Sequence, residues 1–469
     1  MGGPQDRGDL TEAGGGAQQD GAGIGVQRGS GRSGDRAAAA QGVPYPVDMD
    51  SGGESTPGAA DAPGAAHTST DRVPPSAPCS ATAGEVYEHL VRYGPHARTD
   101  LARLLGLSGP TLTRVTRELL ESGLLRELPP QMQTKGRPQQ PLDVDEDHAV
   151  FIGVKITAQS VYAAVVTVRG TALEELSRDL EDVEPATIIA TALELCVPLL
   201  AAHPRVAGIG VGIGAQVDDD GAVASSAMLG WSEPVHLRAQ LEGRLGLPVT
   251  VSNDFHALLE GHAWFGIGRR HRSFAVITIG AGVGVGSVED AEVHRGRTHL
   301  AGLTGTLPTI TRDGRGVLLR QVASTAHILD AARERGVPGV SEADSGFGTG
   351  ADGGGGAAGA SEAHGLEALV HAARAGDPAA LEVAADVAHA VAVAGAGLVG
   401  VLDPDALILG GEAVDLLRVG DEFDVALRAH LARVQRDVLV RFLPADFDDW
   451  TRGAAVIALR RFIGGGGQG

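Results

Sequence analysis

From Gly84 onward the apolar positions fall at helical spacing. Val86, Leu90 and Val91 make a short amphipathic stripe that stops at Gly94-Pro95. Thr99 is placed to cap a second helix carrying Leu101, Leu104 and Leu105. Gly106-Leu107-Ser108 makes a turn. Ser108 caps a third helix with Pro110 in its first turn, where a missing N–H costs nothing. Leu112, Val115 and Leu119 are its inward stripe, and Gly123 ends it. A strand over Leu124–Leu128, a polar tip over Gln131–Gln140 and a return strand around Leu142–Val144 follow. The order helix, helix, helix, wing predicts a winged helix-turn-helix over residues 83–146.

After Ala149 the pattern changes to alternating strands and helices. Strands are expected at Val150–Ile156, Val161–Val168, Val206–Val217, Val249–Ser252, Phe274–Ile279 and Ala406–Leu409. Helices are expected at Thr187–Leu200, Val235–Leu245, Leu366–Ala375, Ala379–Leu402 and Arg452–Phe462. This alternation predicts an α/β body over 149–469. Residues 1–80 are rich in Gly, Ala, Ser, Asp and Pro and lack either period. Such a stretch cannot bury enough surface to offset its ordering entropy, so a disordered tail is expected. A second Gly-rich stretch at 345–359 reads as a surface insertion.

Composition adjusts this picture in three places. The formal net charge of −21 is unusual for a DNA binder, so any DNA contact must come from a local patch. Such a patch exists. Between Gly84 and Leu142, Arg92, Arg98, Arg103, Arg114, Arg117, Arg126, Lys135 and Arg137 outnumber Glu85, Glu88, Asp100, Glu118, Glu121 and Glu127. The two cysteines, Cys79 and Cys196, have no partner at metal-ligand spacing, so neither a disulfide framework nor a metal site is expected. No basic segment precedes an apolar core, and the run Ala390–Leu402 is short for a bilayer span. A cytoplasmic protein without membrane partners is expected.

With Leu112, Val115 and Leu119 facing inward, Thr111, Thr113, Arg114 and Arg117 face outward beside Ser108. At the start of a recognition helix, Arg bonds guanine bidentately and Thr meets a phosphate or a thymine methyl. Lys135 and Arg137 in the wing tip suit the phosphate backbone or the minor groove. Against this stands a small helical interaction module with a solvated Arg face.

Several stretches of the body resemble the ROK family (repressors, open reading frames and sugar kinases). They are Val206–Gly214, Leu229-Gly230-Trp231, Leu247–Val249 leading to Asn253-Asp254, and Thr278–Gly286. Further matches are Ala301-Gly302, Gly376-Asp377-Pro378, and Leu402-Asp403-Pro404 running to Leu409-Gly410-Gly411. The resemblance covers about residues 83–469, and its repressor branch carries a winged helix. It implies an actin-like, hexokinase-like (ribonuclease H-like) fold, with lobes at about 149–265 and 266–469.

In the family's kinases an Asp in an Asn-Asp pair removes a sugar proton and two glycine loops hold ATP. A Glu-x-Gly-His motif holds the sugar, and its His joins three cysteines on zinc. By resemblance, Asp254 is the vestigial base and Asn253 its neighbour, and Gly280 and Gly282 belong to the second glycine loop, with Ala281 in place of Thr. The first loop, Asp-x-Gly-Gly-Thr in kinases, reads Lys155-Ile156-Thr157-Ala158-Gln159. A cation replaces the metal-binding carboxylate and the phosphate-facing glycines are gone. The Glu-x-Gly-His motif reads Leu303-Thr304-Gly305-Thr306, no cysteine follows, and Arg320 stands where a sugar-facing Glu is expected. No zinc and no other cofactor is therefore expected. Asn253, Asp254, Gly280, Gly282, His299 and Arg320 remain as candidate ligand contacts.

Together these losses predict a regulator, not an enzyme: a repressor that reads operator DNA as a homodimer or homotetramer. The effector is then a sugar, a sugar derivative or an acidic metabolite, or there is none. The rivals are an ATP-dependent sugar kinase with an N-terminal extension and a ligand-independent oligomeric regulator.

Overall fold

The computed structural model describes residues 75–130, 139–303, 305–341, 355–443 and 448–465. Expectations for the tail before residue 75, for Lys135 and Arg137 in the wing tip, for Thr304, and for the Gly-rich stretch up to residue 354 lie outside the described residues.

The first elements are α1 (Ala81–Tyr93), β1 (His96–Ala97), α2 (Arg98–Leu104), α3 (Gly109–Glu121), β2 (Leu125–Glu127) and β3 (Pro141–Val144). The strands form a three-stranded antiparallel sheet in the order β1-β3-β2. Leu112, Val115 and Leu119 are buried as the spacing predicts, and Thr116 joins them. Two details differ from the sequence reading. Strand β1 is too short to leave a period. The chain also leaves β1 directly into α2, so Ala97 and not Thr99 is the N-cap, without a side-chain bond.

The body holds two five-stranded mixed sheets. The first comprises β4 (Val150–Ile156), β5 (Ser160–Thr167), β6 (Ala172–Asp179), β7 (Val206–Ile213) and, after the hairpin β8 (Gln216–Val217)–β9 (Val223–Ser225), β10 (Val249–Asn253). Its order is β10-β7-β4-β5-β6, with β4, β7 and β10 parallel. Helices α4 (Pro185–Ala202) and α5 (Leu237–Leu245) cover it, and α6 (Asp254–Trp264) leads out of β10. The second sheet comprises β11 (Phe274–Ile279), β12 (Val283–Glu289), β13 (Glu292–Val293), β16 (Ala406–Gly410) and β17 (Leu439–Phe442), in the order β13-β12-β11-β16-β17. Between its strands come the hairpin β14 (Pro308–Ile310)–β15 (Gly316–Leu318) and the helices α7 (Arg320–Ala323), α8 (Thr325–Glu334), α9 (Gly355–Arg374) and α10 (Pro378–Leu402). Later come α11 (Glu422–His430) and α12 (Asp448–Ile463).

Three further departures have local causes. Edge strand β6 was not expected, because its residues Ala172–Asp179 are mostly exposed and polar and its inward side chains are few. Helix α9 starts inside the expected Gly-rich insertion, at Gly355, where alanines favour helix. Helix α12, expected with the second lobe, returns to the first sheet. It lies so close to β4 and β7 that a Cβ on Gly153 or Gly210 would overlap the carbonyls of Thr451 and Ala454. Helices α4 and α10 are long and apolar enough to span a bilayer by length and composition; here they pack against the two sheets' cores.

One apolar core joins the small helical unit to the body. It contains Ala83, Val86, Tyr87 and Leu90 of α1 together with Phe151, Val166, Leu258, Trp264, Phe274, Ile408 and Ile463. It therefore draws on both sheets, α6 and α12. Burial here holds the Tyr87 hydroxyl well above the usual phenol range.

Candidate functional site

Two regions carry polar chemistry. The first is the outer face of α3. Ser108 caps this helix, its Oγ accepting from the Thr111 N–H (3.3 Å) and sharing a hydrogen bond with the Thr111 hydroxyl (2.8 Å). The Thr113 hydroxyl donates back to the Gly109 carbonyl at 2.8 Å. Arg114 pairs with Glu118 one turn on, at 2.8 Å, and both Arg114 and Arg117 are exposed. The Arg117 guanidinium has no hydrogen-bond or ion-pair partner among the described residues. The face thus offers one free guanidinium, one shared guanidinium and a threonine hydroxyl, while Ser108 is largely committed to the cap.

The second region lies where β4, β7 and β10 end. Here Lys155 and Asp254 form a close ion pair, with side chains only 7% and 12% exposed. The Lys155 ammonium also sits over the Trp450 ring, 4.5 Å from its centroid. A carboxylate held by an ammonium cannot act as a free base, so the Lys155 pair closes Asp254 to that role. The other Asp254 oxygen accepts from the Phe255 N–H at 2.8 Å.

Asn253 is not available as a ligand contact. It is the N-cap of α6, its Oδ1 accepting from Phe255 (2.9 Å) and its Nδ2 donating to the Ala215 carbonyl (3.0 Å).

The glycine loop is closed in a way the sequence reading missed. A Cβ on Gly280 would overlap Oε2 of Glu412, so the Glu412 carboxylate lies directly over the loop. It follows Gly410-Gly411 at the end of β16. Burial of Glu362, and after it the Glu412 charge, hold the Glu362 carboxyl above its usual range. A carboxylate beside Gly280 repels a phosphate of the kind that glycine loops bind. Gly282 stays open.

Leu303 packs against the shared apolar core. Arg320 is exposed at the start of α7, where Gly305 lies against it, and its guanidinium has no partner among the described residues. His299, at φ 54°, is 3.4 Å from the exposed Asp219 on the β8–β9 turn. The buried ring of His256 meets the Ala301 carbonyl at 3.0 Å, and burial pushes its pKa down to about 4. Glu260, fully buried, accepts from Arg295 (2.8 Å) and Arg460 (2.6 Å), tying α6 to the loop after β13 and to α12. Among the described residues no group of His, Cys, Asp and Glu is placed to hold a metal.

Residues 151–461 match the family model described as ROK family. A putative xylose repressor from Caldicellulosiruptor sp. is 24% identical over 338 residues, 68% of this chain and 79% of that protein. A crystal structure of a ROK family transcriptional regulator, a homologue of the E. coli MLC protein, aligns with TM-score 0.64 at 23% identity. It covers 82% of this chain and 96% of its own. A ROK family glucokinase from Streptomyces griseus, solved with glucose and AMPPNP, aligns with TM-score 0.53 at 26% identity, over 66% of this chain and 99% of its own.

Proposed function

The chain belongs to the ROK family, and from that premise we propose that it is a transcriptional repressor that reads operator DNA with α3 and does not phosphorylate sugars. The observation that carries the reading is the face of α3. A capped helix buries Leu112, Val115, Thr116 and Leu119 and leaves Thr113, Arg114 and Arg117 facing outward. Lys135 and Arg137, which follow β2 in sequence, add phosphate contacts in this reading. The protein acts as a homodimer or homotetramer, because one recognition helix buries too little area for operator specificity.

The kinase reading is disfavoured by chemistry. Phosphoryl transfer needs a metal-holding carboxylate, a free base and an open phosphate loop. Lys155, the Lys155–Asp254 pair and Glu412 remove these in turn. Similarity to a named repressor supports the same choice, and the regulator structure accounts for more of the chain than the glucokinase does. Any effector is a sugar or sugar derivative that contacts the half-buried His299 and the exposed Arg320. It works by binding one lobe arrangement better than another.

The test is fluorescence anisotropy of the full chain with DNA from upstream of its own gene, at two salt concentrations, beside an Arg114→Ala/Arg117→Ala variant. Saturable, salt-sensitive binding that the variant loses supports the reading. Binding untouched by the variant removes α3 as the reader. ATP-dependent phosphorylation of a hexose would restore the kinase reading.

A further inference from the structure

The helical unit is not hung on a free linker. Two arginines cross between it and the body, each bonding a carbonyl in the last turn of a helix on the far side. Arg169, on the β5–β6 turn, donates through one nitrogen to the carbonyls of Leu90 (2.7 Å) and Val91 (2.9 Å) in the last turn of α1. Its other nitrogen pairs with Asp143 of β3. In the opposite direction Arg92, from the end of α1, donates to the Ala263 carbonyl in the last turn of α6 at 3.3 Å. Its guanidinium stacks 5.4 Å from both the Trp264 and Tyr93 rings, and its side chain is only 8% exposed.

Helix C-termini carry unpaired carbonyls and partial negative charge, so a buried guanidinium is their natural partner. The turn that presents Arg169 is itself held. The Thr167 hydroxyl accepts from the N–H groups of Arg169 and Thr171, and Gly170, at φ 79°, lies against the ring of Phe265, the C-cap of α6. Three chain segments therefore meet at one point: the end of α1, the end of α6 and the β5–β6 turn. Helix α1 is also the platform on which α3 packs, and its other end touches Ile463 of α12.

We infer that Arg92 and Arg169 form a reciprocal clasp that fixes the orientation of the reading helix on the body and thereby sets the half-site spacing the assembled repressor accepts. This rests on the DNA-reading function proposed above. Both are positioning residues: neither lies on the outer face of α3. A head held this way presents its partner copy's head at a fixed distance and rotation. An operator whose half-sites are moved by half a helical turn, about 5 bp, is then bound poorly. With the clasp removed, the head keeps its fold and its half-site affinity but samples orientations, and the penalty for wrong spacing shrinks.

The test compares the full chain with an Arg92→Gln/Arg169→Lys variant, which keeps a cation beside Asp143. Far-UV circular dichroism checks folding, with Arg169→Lys alone as the milder variant if the pair unfolds. The first readout needs no DNA. In a Cys79→Ser background, spin labels at Glu121→Cys on α3 and Ser177→Cys on β6 report the head-to-body distance by pulsed electron resonance, in spin-diluted samples. The native protein gives a single narrow distribution and the variant a broad one. An equally narrow distribution in a folded variant overturns the clasp.

The second readout uses DNA selected from a random pool by the native protein and then respaced. The native protein loses about tenfold or more on moving the half-sites by about 5 bp, and the variant about threefold or less. Undiminished spacing discrimination in the variant also overturns the clasp. If the native protein selects no DNA, the DNA-reading function itself fails, and the distance distributions still decide whether the clasp holds the head.

Discussion

Replacing Lys155 with Met isolates the energetics of the closed cleft. The substitution keeps the length and apolar stem of the side chain but removes the charge that faces Asp254. Both partners are almost wholly buried, and among the described residues Asp254 keeps one other bond, from the Phe255 N–H. Breaking a buried pair from one side costs about 3–5 kcal/mol, because the remaining charge loses its compensation. Loss of the ammonium over Trp450 adds about 1 kcal/mol, and residual solvent access to Asp254 offsets a similar amount. The expected destabilisation is about 3–4 kcal/mol. Asp254→Asn leaves the lysine with only the indole face and costs about 2–3 kcal/mol. The double variant has no buried charge and costs under about 2 kcal/mol, so the two changes are strongly non-additive. Chemical denaturation followed by tryptophan fluorescence measures all three, and Trp450 itself reports on the site. If the single costs simply add to that of the double variant, the pair is not the buried, mutually compensating one described, and the argument that Asp254 is closed as a base fails with it.

Other consequences can be measured on the same protein. Glu260→Gln leaves Arg295 and Arg460 facing a neutral amide and lowers stability by about 3–5 kcal/mol, read by the same denaturation assay. His256 is held neutral in the fold, with a folded pKa of about 4 against an ordinary value of 6.5. Between those pH values the unfolded chain binds the extra proton, so stability falls as pH drops from about 6.5 to 4. The total loss is about 3 kcal/mol, and a His256→Gln variant lacks this component in a pH series of unfolding curves. Cys79 is exposed, whereas burial pushes the Cys196 thiol up to about 12. A thiol reagent at neutral pH should therefore modify one cysteine in the native protein and the second only after unfolding. Rapid native reaction at Cys196 would contradict its placement on the buried face of α4.

The sequence carried the large features of this fold because they rest on period and punctuation. The stripe Leu112, Val115, Leu119 and the Ser108 cap fix α3 locally. The buried runs Val150–Ile156 and Phe274–Ile279 can be little else than central strands. What stayed hidden depends on partners distant in sequence. Strands β1 and β6 exist because β3 and β5 pair with them, and α12 joins the first sheet through glycines some 240 to 300 positions earlier, Gly210 and Gly153. The same distinction holds in the cleft. Lys155 was visible as a substitution, but that its ammonium seals Asp254, 99 positions away, is a fact of folding. Asn253 looked like half of a catalytic pair and is spent on a helix cap. Glu412 left a faint trace, an acid directly after a glycine pair, yet only its approach to Gly280 gives it meaning.

These findings bear on how one fold can exchange chemistry for control. In a phosphoryl-transfer site, charges are held apart until substrate, metal and nucleotide arrive, and that readiness costs stability. Here the buried carboxylates of α6 have partners within the chain: Asp254 has Lys155, and Glu260 has two arginines. Glu412 sets a negative charge beside Gly280. Helix α6 lies between the two regions of interest. It begins at the Asn253 cap beside the sealed base and ends at the Ala263 carbonyl that holds Arg92, about 16 Å away along eleven residues. A helix so anchored at both ends moves as a unit. A ligand that shifted its first turn would therefore have to move its last turn too, and with it the arginine that fixes the reading head.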